Sequence, residues 1–233
     1  MTNDLKMQAA RRALEQVHDG MTLGLGSGST SACFVDLLGE QFRSGALQGI
    51  RGVPTSESTA QRARSWGIPI ISLFATHPGG EPYLDLAVDG ADEVDPDLNL
   101  IKGLGRALLR EKIVEMHAQR FIVIVEETKL VSRLGSRGPL PVELIQFEAD
   151  VHVGWLNSLG CRAELWREDD GTPVVTDNGN YLARCWFDGG IADVHTLAHK
   201  LTDRPGIVGH GLFLDMAHQV IVAGERGVRI IVK

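Results

Sequence analysis

Asp89, Asp92, Lys102 and Glu111 fall within 23 positions, and their types and spacing suit proton movement. Asp89-Gly90-Ala91-Asp92-Glu93 sets two carboxylates three apart on a turn. Lys102-Gly103-Leu104-Gly105 follows with an ammonium beside a glycine loop, and Arg110-Glu111-Lys112 carries an acid on the next helix. A lysine and loop N–H groups can hold an oxygen on which negative charge develops. A carboxylate in a dry site can act as a mobile proton carrier. The plainer reading of each piece is a solvated Asp-Gly turn and a solvated charge run.

A second set is built for anions. Gly24-Leu25-Gly26-Ser27-Gly28-Ser29-Thr30 lies between a short apolar run and a helical pattern, so its glycines and hydroxyls sit where free N–H groups favour a phosphate or carboxylate. It is not the G-x-G-x-x-G dinucleotide pattern, whose third glycine would fall at Ser29, and no Walker lysine follows. Pro54-Thr55-Ser56-Glu57-Ser58-Thr59 repeats the hydroxyl-rich theme, and on its own reads as a helix cap. His195 and His199 are four apart with no third ligand in view, so they read as surface residues and no metal site is expected. Trp155, Trp166 and Trp186 read as packing of a second domain.

The elements that must position these groups alternate between strand and helix. Residues 4–18 read as a helix, Met21 to Leu25 as a strand, 31–38 as a helix and 49–53 as a strand, followed by a helix to Trp66. Ile68–Leu73, Tyr83–Val88 and Phe121–Val125 read as further strands, and Leu104–His117 as a helix. Leu86–Val88 stops at Asp89-Gly90, which places Asp89 at a strand end, where α/β proteins hold ligands. The pattern predicts a Rossmann-like, mostly parallel sheet with helices on both faces. After Lys129 it changes. Strands at 139–145, 162–166, 174–176 and 181–187, with helices at 150–159 and 194–201, suit a small split βαβ, ferredoxin-like α+β domain. The expected division is 1–129 with 206–233 as one domain and 130–205 as the other. The tail's short strands, 207–208, 219–223 and 228–232, are expected to rejoin the first sheet.

Composition narrows the class. A net charge of −7 with no Lys/Arg cluster argues against nucleic acid as a non-specific partner. Apolar runs stay far below the roughly 20 residues that span a bilayer, and residues 1–4 show no apolar signal core. Cys33, Cys161 and Cys185 form no C-x-x-C pair and suit reduced thiols in the cytoplasm. Glycine, 27 of 233 residues, is enriched to about 12% against the usual ~7%. These glycines cluster in short motifs, as loops approaching a ligand would require.

Together these pieces resemble the type A ribose-5-phosphate isomerase family. Gly26-Ser27-Gly28-Ser29-Thr30, Asp89 to Glu93, Lys102 to Gly105, Arg110 to Lys112, Pro139-Leu140-Pro141-Val142-Glu143 and Thr176-Asp177-Asn178-Gly179-Asn180 occur in its order and approximate spacing. The likeness continues through Gly211-Leu212-Phe213 to Lys233. It implies a cofactor-free aldose–ketose isomerase of the pentose phosphate pathway, assembled as a homodimer or homotetramer. By resemblance, Glu111 is the proton acceptor and Asp89 opens the furanose ring with Asp92 close by. Lys102 and the Gly103, Leu104 and Gly105 amides hold the enediolate. Ser27, Gly28, Ser29 and Thr30, with Gly90 and Ala91, line the substrate pocket. Lys129 reaches the phosphate, with Lys6 a lesser contributor. Two departures stand out: the family's Lys-Gly-Gly-Gly has Leu104 at its third position, and Ser27 stands where Thr is usual. A leucine forced to positive φ would cost steric energy and shift the loop, and Arg106 adds a charge beside it.

Competing readings are a sugar-phosphate sensor that kept the pocket and lost the chemistry, an amino-sugar phosphate deaminase, and an acyl-CoA transferase. Retention of Asp89, Lys102 and Glu111 speaks against the sensor. No glutamate nucleophile or surface for a long CoA group is indicated.

Overall fold

Alternating apolar runs and amphipathic stretches fold as a doubly wound sheet. The computed structural model describes every residue except Met1, Pro78 and Pro82. Its helices are α1 (Thr2–Leu14), α2 (Gly28–Ser44), α3 (Glu57–Trp66), α4 (Leu108–Glu115), α5 (Ala149–Asn157) and α6 (Val194–Thr202). The strands are β1 (Thr22–Leu25), β2 (Arg51–Pro54), β3 (Leu86–Asp89), β4 (Glu93–Val94), β5 (Leu100–Ile101), β6 (Phe121–Glu126) and β7 (Leu140–Leu144). They continue with β8 (Arg162–Leu165), β9 (Tyr181–Trp186), β10 (Ile207–His210), β11 (Leu212–Phe213), β12 (Gln219–Gly224) and β13 (Gly227–Val232).

The chain forms two compact units. The first holds residues 1–91, 110–129 and 216–233. Its six-stranded sheet runs β13-β12-β6-β3-β1-β2, parallel except for β13. Leu23, Leu25, Leu86, Val88, Ile122, Ile124, Ile221 and Ala223 point to one face, where they pack with Ala9, Ala13, Phe34 and Leu38 of α1 and α2. Period-2 alternation turns Gly24 and Ala87 to the other face, where Val114 of α4 lies 3.1 Å from the position a Cβ on Gly24 would take. Helices therefore cover both faces, and the near-continuous apolar strands follow from burial on both sides.

The second unit holds residues 92–109 and 130–215. β7, α5, β8, β9, α6 and β10 form an antiparallel sheet in the order β10-β7-β9-β8, the split βαβ arrangement. Leu140, Val142, Leu144, Ala183 and Cys185 pack there on Leu156, Leu197 and Leu201 of the helices. A small sheet, β11-β5-β4, completes the unit.

The unit bounds differ from the expected 1–129, 206–233 and 130–205. Leu212 of β11 pairs with Ile101 of β5, and β10 pairs with β7, which ties 92–109 and 206–215 into the second unit. Only β12 and β13 of the tail rejoin the first sheet. Residues 68–73 are not a strand: Ile70 alone bridges Gly52, and a 3₁₀ turn follows at Leu73–Thr76. Residues 174–176 likewise reduce to a single bridge, Val175 with Tyr181.

Candidate active site

In the first unit the winding reverses between β1 and β3. From β1 the chain steps out to β2, then returns to β3 on the other side of β1 and proceeds to β6 and β12. Open α/β sheets hold ligands at the carboxyl ends of strands flanking such a reversal. Asp89 ends β3 there and is 1% exposed. Its Oδ1 accepts the Ser27 N–H at 2.9 Å, the Gly90 N–H at 2.7 Å and the Ser31 hydroxyl at 2.6 Å. The approach requires glycine at 26, because a Cβ on that residue would lie 2.1 Å from the Asp89 carboxyl carbon.

Ser27 stands at the N-cap of α2 with extended backbone, yet its hydroxyl makes no cap bond to the helix. It joins the Thr55, Ser56 and Thr59 hydroxyls at 2.6, 2.9 and 3.3 Å. Thr59 in turn donates to the Gly26 carbonyl at 3.0 Å. The 54–59 motif therefore does two jobs: Ser56 caps α3 by accepting the Thr59 N–H, and the group forms a hydroxyl floor beneath Gly26-Ser27. Gly28 and Ser29 open the first turn of α2 and are exposed, with Thr30 half-buried. The Lys6 ammonium donates to Ser29 Oγ at 2.9 Å. A helix N-terminus with an ammonium beside it is a ready place for an anion.

Glu111 lies on α4 and is 3% exposed. The surrounding run is thus not a uniformly solvated face. Arg110 pairs with Glu57 at 2.8 Å, while burial pulls the Lys112 ammonium down to about 8 against an opposing pull from Glu115. Lys129 closes the 3₁₀ turn Glu127–Lys129 that follows β6 and is half-buried. Gly90 and Ala91 are half-buried beyond the end of β3.

In the second unit Lys102 is 2% exposed, and its ammonium stands 5.3 Å over the Phe213 ring. Its N–H donates to the Gly211 carbonyl at 2.9 Å, a contact that any side chain at 211 would obstruct. Asp92 accepts the Leu104 N–H at 2.9 Å and so pins the glycine loop. Positive φ falls on Gly103 (109°) and Arg106 (68°), not on Leu104. The steric cost anticipated for leucine does not arise, and Leu104, with Gly105, is exposed. Because residues 103–106 form this turn, α4 begins at Leu108 rather than Leu104. Glu93, buried, accepts the N–H groups of Gly135, Arg137 and Gly138 at 2.6, 2.8 and 2.9 Å. Trp155 packs on the core as expected. Trp166 and Trp186 instead stack with arginines, Arg106 and Arg184 over the first, Arg184 and Arg162 over the second.

Sequence reasoning missed Ser31, Glu93 and Arg106 as organising residues. Ser31 had a signal in its place four residues after Ser27, one turn along α2. Among the described residues no group of three or more His, Cys, Asp or Glu is placed to hold a metal ion, and His195 and His199 are exposed.

A buried acid at the reversal of a doubly wound sheet, with an ammonium beside a helix N-terminus and no dinucleotide glycine pattern, defines a Rossmann-like protein that handles a small anion. The sequence profile of ribose 5-phosphate isomerase A (phosphoriboisomerase A) matches residues 51–227. The chain is 48% identical to the ribose-5-phosphate isomerase A of Roseiflexus sp. (strain RS-1), over 97% of this chain and 94% of that one. It is equally close to a probable chloroplastic ribose-5-phosphate isomerase 3 of Arabidopsis thaliana, covering 99% and 84%. Among solved structures, a D-ribose-5-phosphate isomerase in complex with phospho-erythronic acid superposes with a TM-score of 0.94 at 41% identity over both whole chains. The enzyme of Methanocaldococcus jannaschii gives 0.91 at 37% identity, over 99% of each. The chain belongs to the ribose 5-phosphate isomerase A family.

Proposed function

We propose that this chain interconverts D-ribose 5-phosphate and D-ribulose 5-phosphate through an enediolate, without a cofactor. The observation that carries the reading is the burial of three groups of complementary chemistry, Asp89, Lys102 and Glu111, each at most 3% exposed, in a chain of this family. Burying an ionisable group is costly unless it is paired or used.

In the proposed sequence, Asp89 assists opening of the furanose by moving a proton between the anomeric hydroxyl and the ring oxygen, with Asp92 close by. Glu111 then removes the proton from C2. The C–H electron pair forms the C1–C2 double bond, and the carbonyl electrons pass to O1. Lys102 and the Gly103 and Gly105 amides hold the charged oxygen, the Leu104 N–H being taken by Asp92, and loss of one positioned donor typically costs about 2.7–4 kcal/mol. The enediol proton moves between O2 and O1, and Glu111 returns its proton to C1. Ser27, Gly28, Ser29 and Thr30, with Gly90 and Ala91, surround the sugar, and Lys129 and Lys6 attract the phosphate. The relative solved with phospho-erythronic acid supports a sugar-phosphate ligand.

We further propose a homodimer or homotetramer in the cytoplasm. Three free thiols suit a reducing compartment, and exposed Ile145, Phe147, Val151 and Val175 on the second unit suit self-association. No helix among the described residues is long and apolar enough to cross a membrane. Sedimentation measures the assembly.

The test is Glu111→Gln in a coupled assay with ribose 5-phosphate, run with and without EDTA. Isomerisation is abolished while sugar-phosphate binding persists, and the parent is indifferent to EDTA. Turnover within a few-fold of the parent removes Glu111 from the mechanism.

A further inference from the structure

Arg106 occupies the left-handed region, φ +68°, which L side chains rarely adopt. Two contacts hold it there. Its guanidinium meets the Glu168 carboxylate through two bonds, Nη1 to Oε1 at 2.5 Å and Nη2 to Oε2 at 2.9 Å, and lies 5.2 Å over the Trp166 ring. The paired bonds keep the Glu168 carboxyl below the usual range.

Both partners sit on a fixed hairpin. The Trp166 N–H donates to the Leu182 carbonyl at 2.7 Å and the Val174 N–H to the Trp166 carbonyl at 2.9 Å. The Glu168 N–H donates to Thr172 at 2.8 Å. Trp166 is braced in turn by Arg184, which is 5.3 Å from its ring and is itself paired with Glu164 at 2.8 Å. The loop is therefore gripped at two points, by Asp92 on the Leu104 amide and by this clamp on Arg106. Released from the clamp, a non-glycine residue at positive φ relaxes toward ordinary backbone angles, which turns the neighbouring Gly105 and Leu104 amides.

We propose that Arg106, clamped by Glu168 and Trp166, is a positioning residue that fixes the Lys102–Gly105 loop in its substrate-holding form. This rests on the reading above that Lys102 and the loop amides hold the enediolate.

Glu168→Gln, Arg106→Ala, their combination and Lys102→Met are compared with the parent for kcat and KM at low and high KCl. Amide exchange at Leu104 and Gly105 is followed without substrate. Glu168→Gln and Arg106→Ala each lower kcat/KM by about three- to tenfold, mostly through kcat, the range an exposed ion pair and a cation–π contact support. The double variant loses no more than the worse single one. Salt closes the gap between parent and Glu168→Gln by screening the pair, and loop exchange accelerates in both single variants. Glu168 is exposed, so its replacement leaves the fold intact. Unchanged kinetics in Glu168→Gln with turnover lost in Lys102→Met overturns the clamp and spares the loop's role. Full turnover in Lys102→Met overturns both. Losses that multiply in the double variant, or a gap that salt does not narrow, also overturn the clamp.

Discussion

Ser31→Ala separates ring opening from enolisation. Ser31 is fully buried on α2, and its hydroxyl is the shortest of the three donors to Asp89 Oδ1, at 2.6 Å. The substitution removes one hydrogen bond to a charged group, worth about 1.5–3 kcal/mol, and leaves the Ser27 and Gly90 amides in place. If that loss is felt where Asp89 moves a proton, kcat with ribose 5-phosphate falls by about 10- to 150-fold, the rate equivalent of that energy. Ribulose 5-phosphate cannot close a furanose, because its 5-oxygen carries the phosphate. Exchange of its C1 hydrogen with D₂O, followed by NMR, therefore reports enolisation without ring opening. That exchange stays within about threefold of the parent in Ser31→Ala. Equal losses in both assays would refute the assignment of Asp89 to the ring. Unchanged turnover with lowered thermal stability would make the Ser31 bond purely structural.

Lys102→Ala lowers kcat more than it raises KM if the ammonium acts on the charged intermediate; steady-state kinetics giving the opposite pattern would make it a ground-state binding residue. Gly26→Ala drives a methyl to 2.1 Å from the Asp89 carboxyl, so it destabilises by about 1–3 kcal/mol in urea melts and costs more in turnover than in stability. Lys112 is displaced from 10.5 to about 8 in the fold. Between these values the folded chain has released a proton that the unfolded chain still binds, so this group's contribution to stability rises with pH from about 8 to about 10.5 and is flat below. The urea midpoint of the parent minus that of Lys112→Met, plotted against pH, climbs across that window. A falling or level curve refutes the buried ammonium.

Local pattern revealed the sheet strands because those strands are buried on both faces and leave unbroken apolar runs such as Phe121 to Val125. It also revealed the acids and the lysine, whose neighbours in sequence are turns and glycines. It misread residues 68–73, where Pro69 lacks a ladder donor and Ser72 caps a 3₁₀ turn. It overextended α4, since nothing local marks Arg106 as left-handed. Partners across long sequence separations were out of reach: Ser31 with Asp89 spans 58 residues and Arg106 with Glu168 spans 62. The destination of β10 was equally hidden, because a short strand's composition does not choose which edge it joins.

The chain passes between the two units four times, at 91/92, 109/110, 129/130 and 215/216. Neither body is therefore a contiguous piece of polypeptide. A ribosome that has delivered the first 129 residues has made four of the six strands of the large sheet, yet β6 still lacks the neighbour that β12 supplies. β12 and β13 follow residues 130–215, so a nascent chain carries β6 as an open sheet edge until those residues have been made. The large sheet accordingly closes only after the second unit has been synthesised, and a cut at any one linker leaves residues of the first unit on both fragments.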